Sequence, residues 1–242
     1  MDYREMDYRK RIIVALDVPT RQEALHLVNQ LGGQVGLFKV GSQLFTSEGP
    51  PVVREIIDMG EEVFLDLKFH DIPSTIVKAA LAAQELGVSM ITVHTSGGLK
   101  MMSTVVKELQ ASAVRPRHPW IFGVTVLTSL GEPDLKEIGC DFAIQDQVLR
   151  LASLAQRAGL DGLIASPAEI EALRRHFRNS LKIATPGVRP TGADGNDQSR
   201  IATPAAALRA GADYLVIGRP LIASSNPSAS LNQILKSLRD ET

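Results

Sequence analysis

Four charged residues, Lys39, Asp66, Lys68 and Asp71, stand at the ends of two of the most apolar runs in the chain. The segment FLDLKFHDIPST (64–75) carries Asp66, Lys68 and Asp71, and GLFKVGS (36–42) carries Lys39. Charges in an apolar setting are costly unless paired, so such a cluster must alternate in sign. Lys39, Asp66, Lys68 and Asp71 suit an alternating array. The competing reading is a set of buried ion pairs that only closes the core. Four charges on two strand ends favour a site.

A second constellation lies further on. KIATPGVRP (182–190) and YLVIGRP (214–220) each join a glycine to an arginine. Glycine lets backbone N–H groups approach an anion, and Arg219 can hold phosphate oxygens through two parallel donors. Gln198 lies between them in RPTGADGNDQSR (189–200), where it is placed to fold over a phosphate. The plainer reading makes Arg219 a surface charge beside a turn. His94 ends another strand, as an acid, a base or a hydrogen-bonded wall residue. His70 should face away from Asp66 and Lys68 and serve packing. Cys140 has no base near it in sequence, and Met101 and Met102 read as helix core. No GxGxxG or P-loop is present, and nothing beyond Asp66 and Asp71 has metal-ligand spacing.

These residues need a scaffold, and the sequence describes one. Eight β-branched runs recur: RIIVALDV (11–18), GLFKVGS (36–42), EVFLDLKF (62–69), SMITVHTS (89–96), WIFGVTVLTS (120–129), GLIASP (162–167), KIATPGVRP (182–190) and YLVIGRP (214–220). Their unbroken apolar character predicts strands buried on both faces, as in a parallel sheet. Helical patterns lie between them. TRQEALHLVNQL opens on Thr20 with Glu23 three residues on, a capping box. STIVKAALAAQELG ends at Gly87, and Pro167 and Pro204 open two further helices. Strict alternation of strand and helix predicts an α/β fold, a (β/α)8 TIM barrel of one domain.

A barrel places its chemistry where strands end. Asp17, Lys39, Asp66, Lys68, His94, Thr128, Arg189, Gly218 and Arg219 all fall at such ends. Residues two apart on a strand face one side, so Asp66 and Lys68 both point into the mouth, with Asp71 just beyond.

Composition narrows the function classes. The 242 residues are 44% hydrophobic and 22% charged, ordinary for a globular α/β barrel. With 26 basic and 27 acidic residues, net charge is −1, so bulk attraction to nucleic acid or an anionic membrane is not expected. No run of ~18 apolar residues predicts a membrane span. The single cysteine, Cys140, excludes an internal disulfide and fits a reducing cytoplasm. MDYREMDYRK repeats its MDYR tetrapeptide and lacks an apolar signal core, so residues 1–10 read as a disordered leader or a start-site duplication before a catalytic domain over 11–242.

DLKFHDIPST, with LDV, FKVG, TVLTS, TPGVRP, DQSR and VIGRP, resembles the bacterial type of orotidine 5'-phosphate decarboxylase over nearly all the chain after Arg11. D-x-K-x-x-D alone is shared with 3-keto-gulonate-6-phosphate decarboxylases; the I-P-S-T, DQSR and VIGRP segments make the match specific. The resemblance implies cofactor-independent conversion of orotidine 5'-phosphate to UMP and carbon dioxide, the last step of de novo UMP synthesis, in a cytoplasmic homodimer. It implies that Asp17 and Lys39 contact the ribose hydroxyls, that Asp66 lies against the substrate carboxylate, and that Lys68 protonates C6. Asp71 and Thr75 would reach the neighbouring subunit's site. Thr128 would meet the pyrimidine, and Arg189, Gln198, Gly218 and Arg219 the phosphate. Two alternatives stand beside this: a metal-dependent keto-sugar-phosphate decarboxylase, and a non-catalytic phosphoribosyl-binding barrel.

Overall fold

A computed structural model describes residues 7–112, 118–189 and 202–241. Eight parallel strands run in chain order: β1 (Ile12–Ala15), β2 (Leu37–Gly41), β3 (Val63–Phe69), β4 (Met90–His94), β5 (Trp120–Val124), β6 (Gly162–Ile164), β7 (Lys182–Thr185) and β8 (Tyr214–Ile217). They form a closed barrel in which β8 pairs back to β1. The first helices are α1 (Arg21–Leu31), α2 (Ser42–Glu48), α3 (Pro50–Asp58), α4 (Pro73–Leu86), α5 (Gly98–Ala111) and α6 (Glu132–Glu137). They continue as α7 (Ile144–Ala158), α8 (Ile170–Phe177), α9 (Pro204–Ala210), α10 (Arg219–Ile222) and α11 (Pro227–Glu241). The architecture is the (β/α)8 TIM barrel of one domain that strand–helix alternation predicts. The connections after β2, β5 and β8 each hold two helices where one was expected.

Both strand faces are buried, for different reasons. Ile13, Phe64, Met90, Phe122, Ala184 and Val216 point into the barrel and form its inner core. Their neighbours Ile12, Val14, Phe38, Leu65 and Ile91 point outward against the helices. Hence the strands read as continuous apolar runs. Gly162 faces the centre because nothing larger fits: a Cβ there would fall 2.6 Å from the Phe122 ring. At the N-terminal end of the barrel Trp120 packs on Phe122 and Tyr214, with ring centroids 6.5 and 6.0 Å away.

Asp213, just before β8, accepts a hydrogen bond from the Ile183 N–H of β7 (2.7 Å) and pairs with Arg174 of α8. Arg174 also donates to the carbonyls of Gly211, Arg178 and Leu181, each at 2.8 Å. Asp161, just before β6, holds the Ile121 N–H of β5 in the same way (2.8 Å).

Several local signals are met in part. The Thr20 hydroxyl accepts the Glu23 N–H (3.3 Å), but it also donates to the Glu23 carboxylate (2.9 Å), so the capping box has one backbone arm only. Gly87 caps α4 with φ 90°. Pro204 opens α9 under a Thr203 cap, whereas Pro167 opens a short 3-10 turn ahead of α8. The leader expected over residues 1–10 needs correction at its end. Tyr8–Arg11 form a 3-10 turn and Tyr8 is buried in the outer core. The turn seats closely on Gly36, where a Cβ would lie 2.4 Å from the Lys10 carbonyl oxygen. Residues 1–6 lie outside the described residues. Among the described residues, no helix is long and apolar enough to cross a membrane.

Candidate active site

The C-terminal ends of the strands enclose a cavity of about 480 Å³. Asp17, Lys39, Asp66, Lys68, Thr128, Arg189, Gly218 and Arg219 all line it. Eight of the eleven residues that the resemblance assigns to the site thus meet in one place. Asp71 and Thr75 are exposed at the start of α4 and do not line this cavity. Gln198 lies outside the described residues.

The charges are arranged in a chain of alternating sign. The Lys39 ammonium lies 3.0 Å from an Asp17 carboxylate oxygen and 3.7 Å from Oδ2 of Asp66. The Lys68 ammonium lies 2.8 Å from that same Oδ2. Asp66 is thereby held between two cations. Lys39 and Asp66 are buried, Lys68 is about one-third exposed, and Asp17 is open to solvent. Burial of Lys39 and Asp66 is tolerable because each charge has an opposite neighbour and the four charges sum to zero. Gly41 leaves room for it, since a Cβ there would come within 3.0 Å of Lys39 Nζ. Asp71 does not join the array within one chain; its carboxylate accepts the N–H of Ile72 (2.6 Å).

The strand that carries Asp66 and Lys68 departs from a regular ladder. Phe64, Asp66 and Lys68 do share the inward face, while Leu65, Leu67 and Phe69 pack outward, as the period of two predicts. The pairing with β4, however, passes from Leu65↔Ile91 to Phe69↔Val93. Four steps on β3 are matched to two on β4, which is a bulge. Within it Lys68 has φ 50°, a conformation that costs a non-glycine residue of order 1–3 kcal/mol. Buried Thr92 of β4 sits opposite. Its hydroxyl accepts the Lys68 backbone N–H (2.9 Å) and donates to Oδ1 of Asp66 (2.9 Å). Thr92 was not singled out from sequence, because a threonine within a β-branched strand reads as strand propensity alone.

Around the charges the wall is apolar, with Ala15, Phe64, Val124, Ile164 and Val216 below them. Strand β5 ends at Val124, four residues before Thr128, so Thr128 reaches the cavity from a loop and not from a strand end as expected. Pro186, Gly187 and Val188 bring Arg189 to the cavity, where its side chain is buried; Arg219 begins α10 after Gly218. Two arginines beside glycines form a wall suited to an anion. His70 does not line the cavity and lies against His94, ring centroids 5.2 Å apart with the rings tilted by 33°. Burial holds His94 below its usual pKa, the charges of His70 and Lys68 lower it further, and Asp66 opposes them. Cys140 is partly buried against the outer core. Among the described residues, no group of three or more His, Cys, Asp or Glu is placed to hold a metal ion.

The arrangement offers a cation beside a buried carboxylate, an apolar chamber and a wall that carries two arginines. The chain matches the model of the family described as orotidine 5'-phosphate decarboxylase / HUMPS over residues 10–234. It is 48% identical over 235 residues to the orotidine 5'-phosphate decarboxylase of Syntrophotalea carbinolica, covering 96% of each chain. It is 52% identical over 224 residues to that of Pseudomonas fluorescens, covering 93% of this chain and 95% of the other. The crystal structure of orotidine 5'-phosphate decarboxylase from Lactobacillus acidophilus superposes with a TM-score of 0.84 at 35% identity, over 94% of this chain and 98% of that one. Barrel, site and sequence agree, and the chain belongs to the orotidine 5'-phosphate decarboxylase / HUMPS family.

Proposed function

We propose that the protein decarboxylates orotidine 5'-phosphate to UMP and carbon dioxide, with Lys68 as the cation beside C6 and the donor of its proton. The observation that carries this reading is the Asp66 carboxylate fixed between Lys68 (2.8 Å) and Lys39 (3.7 Å) in the cavity that Arg189 and Arg219 also line. A volume of about 480 Å³ suits a nucleotide.

The bond between C6 and the carboxylate carbon breaks, and its electron pair stays on C6 in the plane of the ring. Carbon dioxide leaves. The pyrimidine gives that pair no conjugated sink, so fixed charge must stabilise it. In this reading the Lys68 ammonium stabilises it, then gives its proton to C6 and regains one from water. Asp66 faces the substrate carboxylate, a repulsion present in the bound substrate and relieved as carbon dioxide forms. Asp17 and Lys39 take the ribose hydroxyls, Thr128 the pyrimidine, and Arg189, Gln198, Gly218 and Arg219 the phosphate. Phosphate contacts far from C6 supply binding energy for closure and desolvation.

Asp71 and Thr75 serve the site of a second subunit. Both are exposed at the start of α4, beside Ile72, which is 64% exposed. An apolar side chain presented next to a carboxylate that has no ion-pair partner among the described residues fits a subunit interface. A nucleotide substrate and a lone cysteine fit a cytoplasmic enzyme.

The test is the absorbance change of orotidine 5'-phosphate on adding enzyme. Wild-type protein turns it over equally with and without excess chelator, and Lys68→Ala loses about 10³-fold or more in kcat while remaining folded. Near-normal turnover by Lys68→Ala would remove the proton-donor role. Loss of activity in chelator, restored by magnesium, would point instead to metal-dependent chemistry on keto-sugar phosphates. Binding without any absorbance change would leave a phosphoribosyl-binding barrel.

A further inference from the structure

We infer that Thr92 is a positioning residue for this reaction, its hydroxyl fixing at once the Asp66 carboxylate and the Lys68 backbone. The inference rests on the functional reading above. Thr92 is fully buried on the inward face of β4, between Met90 and His94. A hydroxyl has one proton to give and lone pairs to receive. Both are used here, and the direction is forced. The Lys68 N–H can only donate and an ionised Asp66 can only accept, so the hydroxyl receives from the first and gives to the second.

The bulge explains why a side chain is needed. Between Leu65↔Ile91 and Phe69↔Val93 the β3–β4 ladder skips, and the Lys68 N–H bonds to the Thr92 hydroxyl in place of a β4 carbonyl. The positive φ of Lys68 needs such an external tie to persist. The Asp66 carboxylate is tied at both oxygens, Oδ1 to Thr92 and Oδ2 to the lysines. A single hydroxyl therefore sets the angle from which Lys68 Nζ approaches its target. Without it the N–H and Oδ1 each lose a partner. Asp66 is freed to rotate, and Lys68 to relax toward negative φ, carrying its ammonium away. A displacement of about 1 Å at a reacting group costs on the order of 10²-fold in rate.

The effect belongs to the chemical step. Thr92 is fully buried and does not line the cavity, and its hydroxyl bonds to Asp66 and the Lys68 backbone, not to the groups assigned to ribose or phosphate. Thr92→Val keeps the shape and removes the hydroxyl; Thr92→Ser keeps the hydroxyl and removes the methyl. Thr92→Val should lose about 10²-fold in kcat, with KM for orotidine 5'-phosphate and Kd for UMP within about threefold of wild type. Thr92→Ser should restore kcat to within about fivefold. Equal losses in the two variants, or a Thr92→Val kcat within threefold of wild type while Lys68→Ala is inactive, would overturn the inference alone. Absence of turnover by the wild-type protein would overturn the functional reading and this inference with it. Should Thr92→Val fail to fold, Thr92→Ser against Thr92→Ala decides: a tenfold gap in kcat supports the hydroxyl role, and no gap overturns it.

Discussion

His94 sits half-buried at the mouth, against the His70 ring and near Lys68 and Asp66. Burial first, then the neighbouring positive charges, lower its pKa from the usual 6.5. Below pH 6.5 the unfolded chain takes up a proton that the folded chain refuses, so stability falls as pH drops through that range. His94→Gln, which cannot titrate, should lose less thermal stability than wild type between pH 7.5 and 5; Tm measured at the two pH values checks this. At this scale the sequence was eloquent about charge and silent about hydroxyls. Asp66 and Lys68 stand out because charges on an apolar strand have no structural purpose of their own. Thr92 performs as direct a task on the same two residues, yet nothing in MITVH distinguishes a working threonine from one chosen for its β-branch. The positive φ of Lys68 was equally hidden, because lysine carries no signal for it.

The elements were legible where their signals are periodic or chemical. Continuous apolar runs followed by capped helices gave the barrel, and Gly87 and Pro204 mark helix ends where expected. The break between α2 and α3 at Gly49 (φ 64°) and Pro50 was not anticipated, and one helix was expected there. Bulges leave no such mark, since they arise from pairing between strands that sequence does not register. Much of the wall's security comes from one residue that periodicity describes only as a helix surface. Arg174 ties α8 to the loops before β7 and β8 through three carbonyls and Asp213. Its partners lie at the end of the barrel away from the cavity. Arg174→Met should therefore cost about 3 kcal/mol of stability, read from urea unfolding, and leave kcat near wild type.

For the whole molecule the question is what one chain lacks. Asp71 and Thr75 stand outside the cavity whose strand they follow. If they complete a partner's site, two inactive variants should rescue one another. Mix Lys68→Ala with Asp71→Ala, unfold and refold them together, and half the dimers are hybrids. Each hybrid has one site with both defects and one with none. Turnover should recover to about a quarter of wild type, whereas sites complete within one chain would give no recovery. The relation between copies was the least legible feature, because a surface carboxylate and an exposed isoleucine look alike whether they face water or a twin.

Strand β8 pairs with β1 as it does with β7. The wall therefore has no first strand. Lys39, Asp66, Thr92, Arg189 and Arg219 come from five separate stations around a ring, and what unites them is the common direction of travel. Every strand delivers its last residues to the same rim. The site is a property of heading rather than of sequence order, and each station can change its side chain without asking its neighbours to reverse.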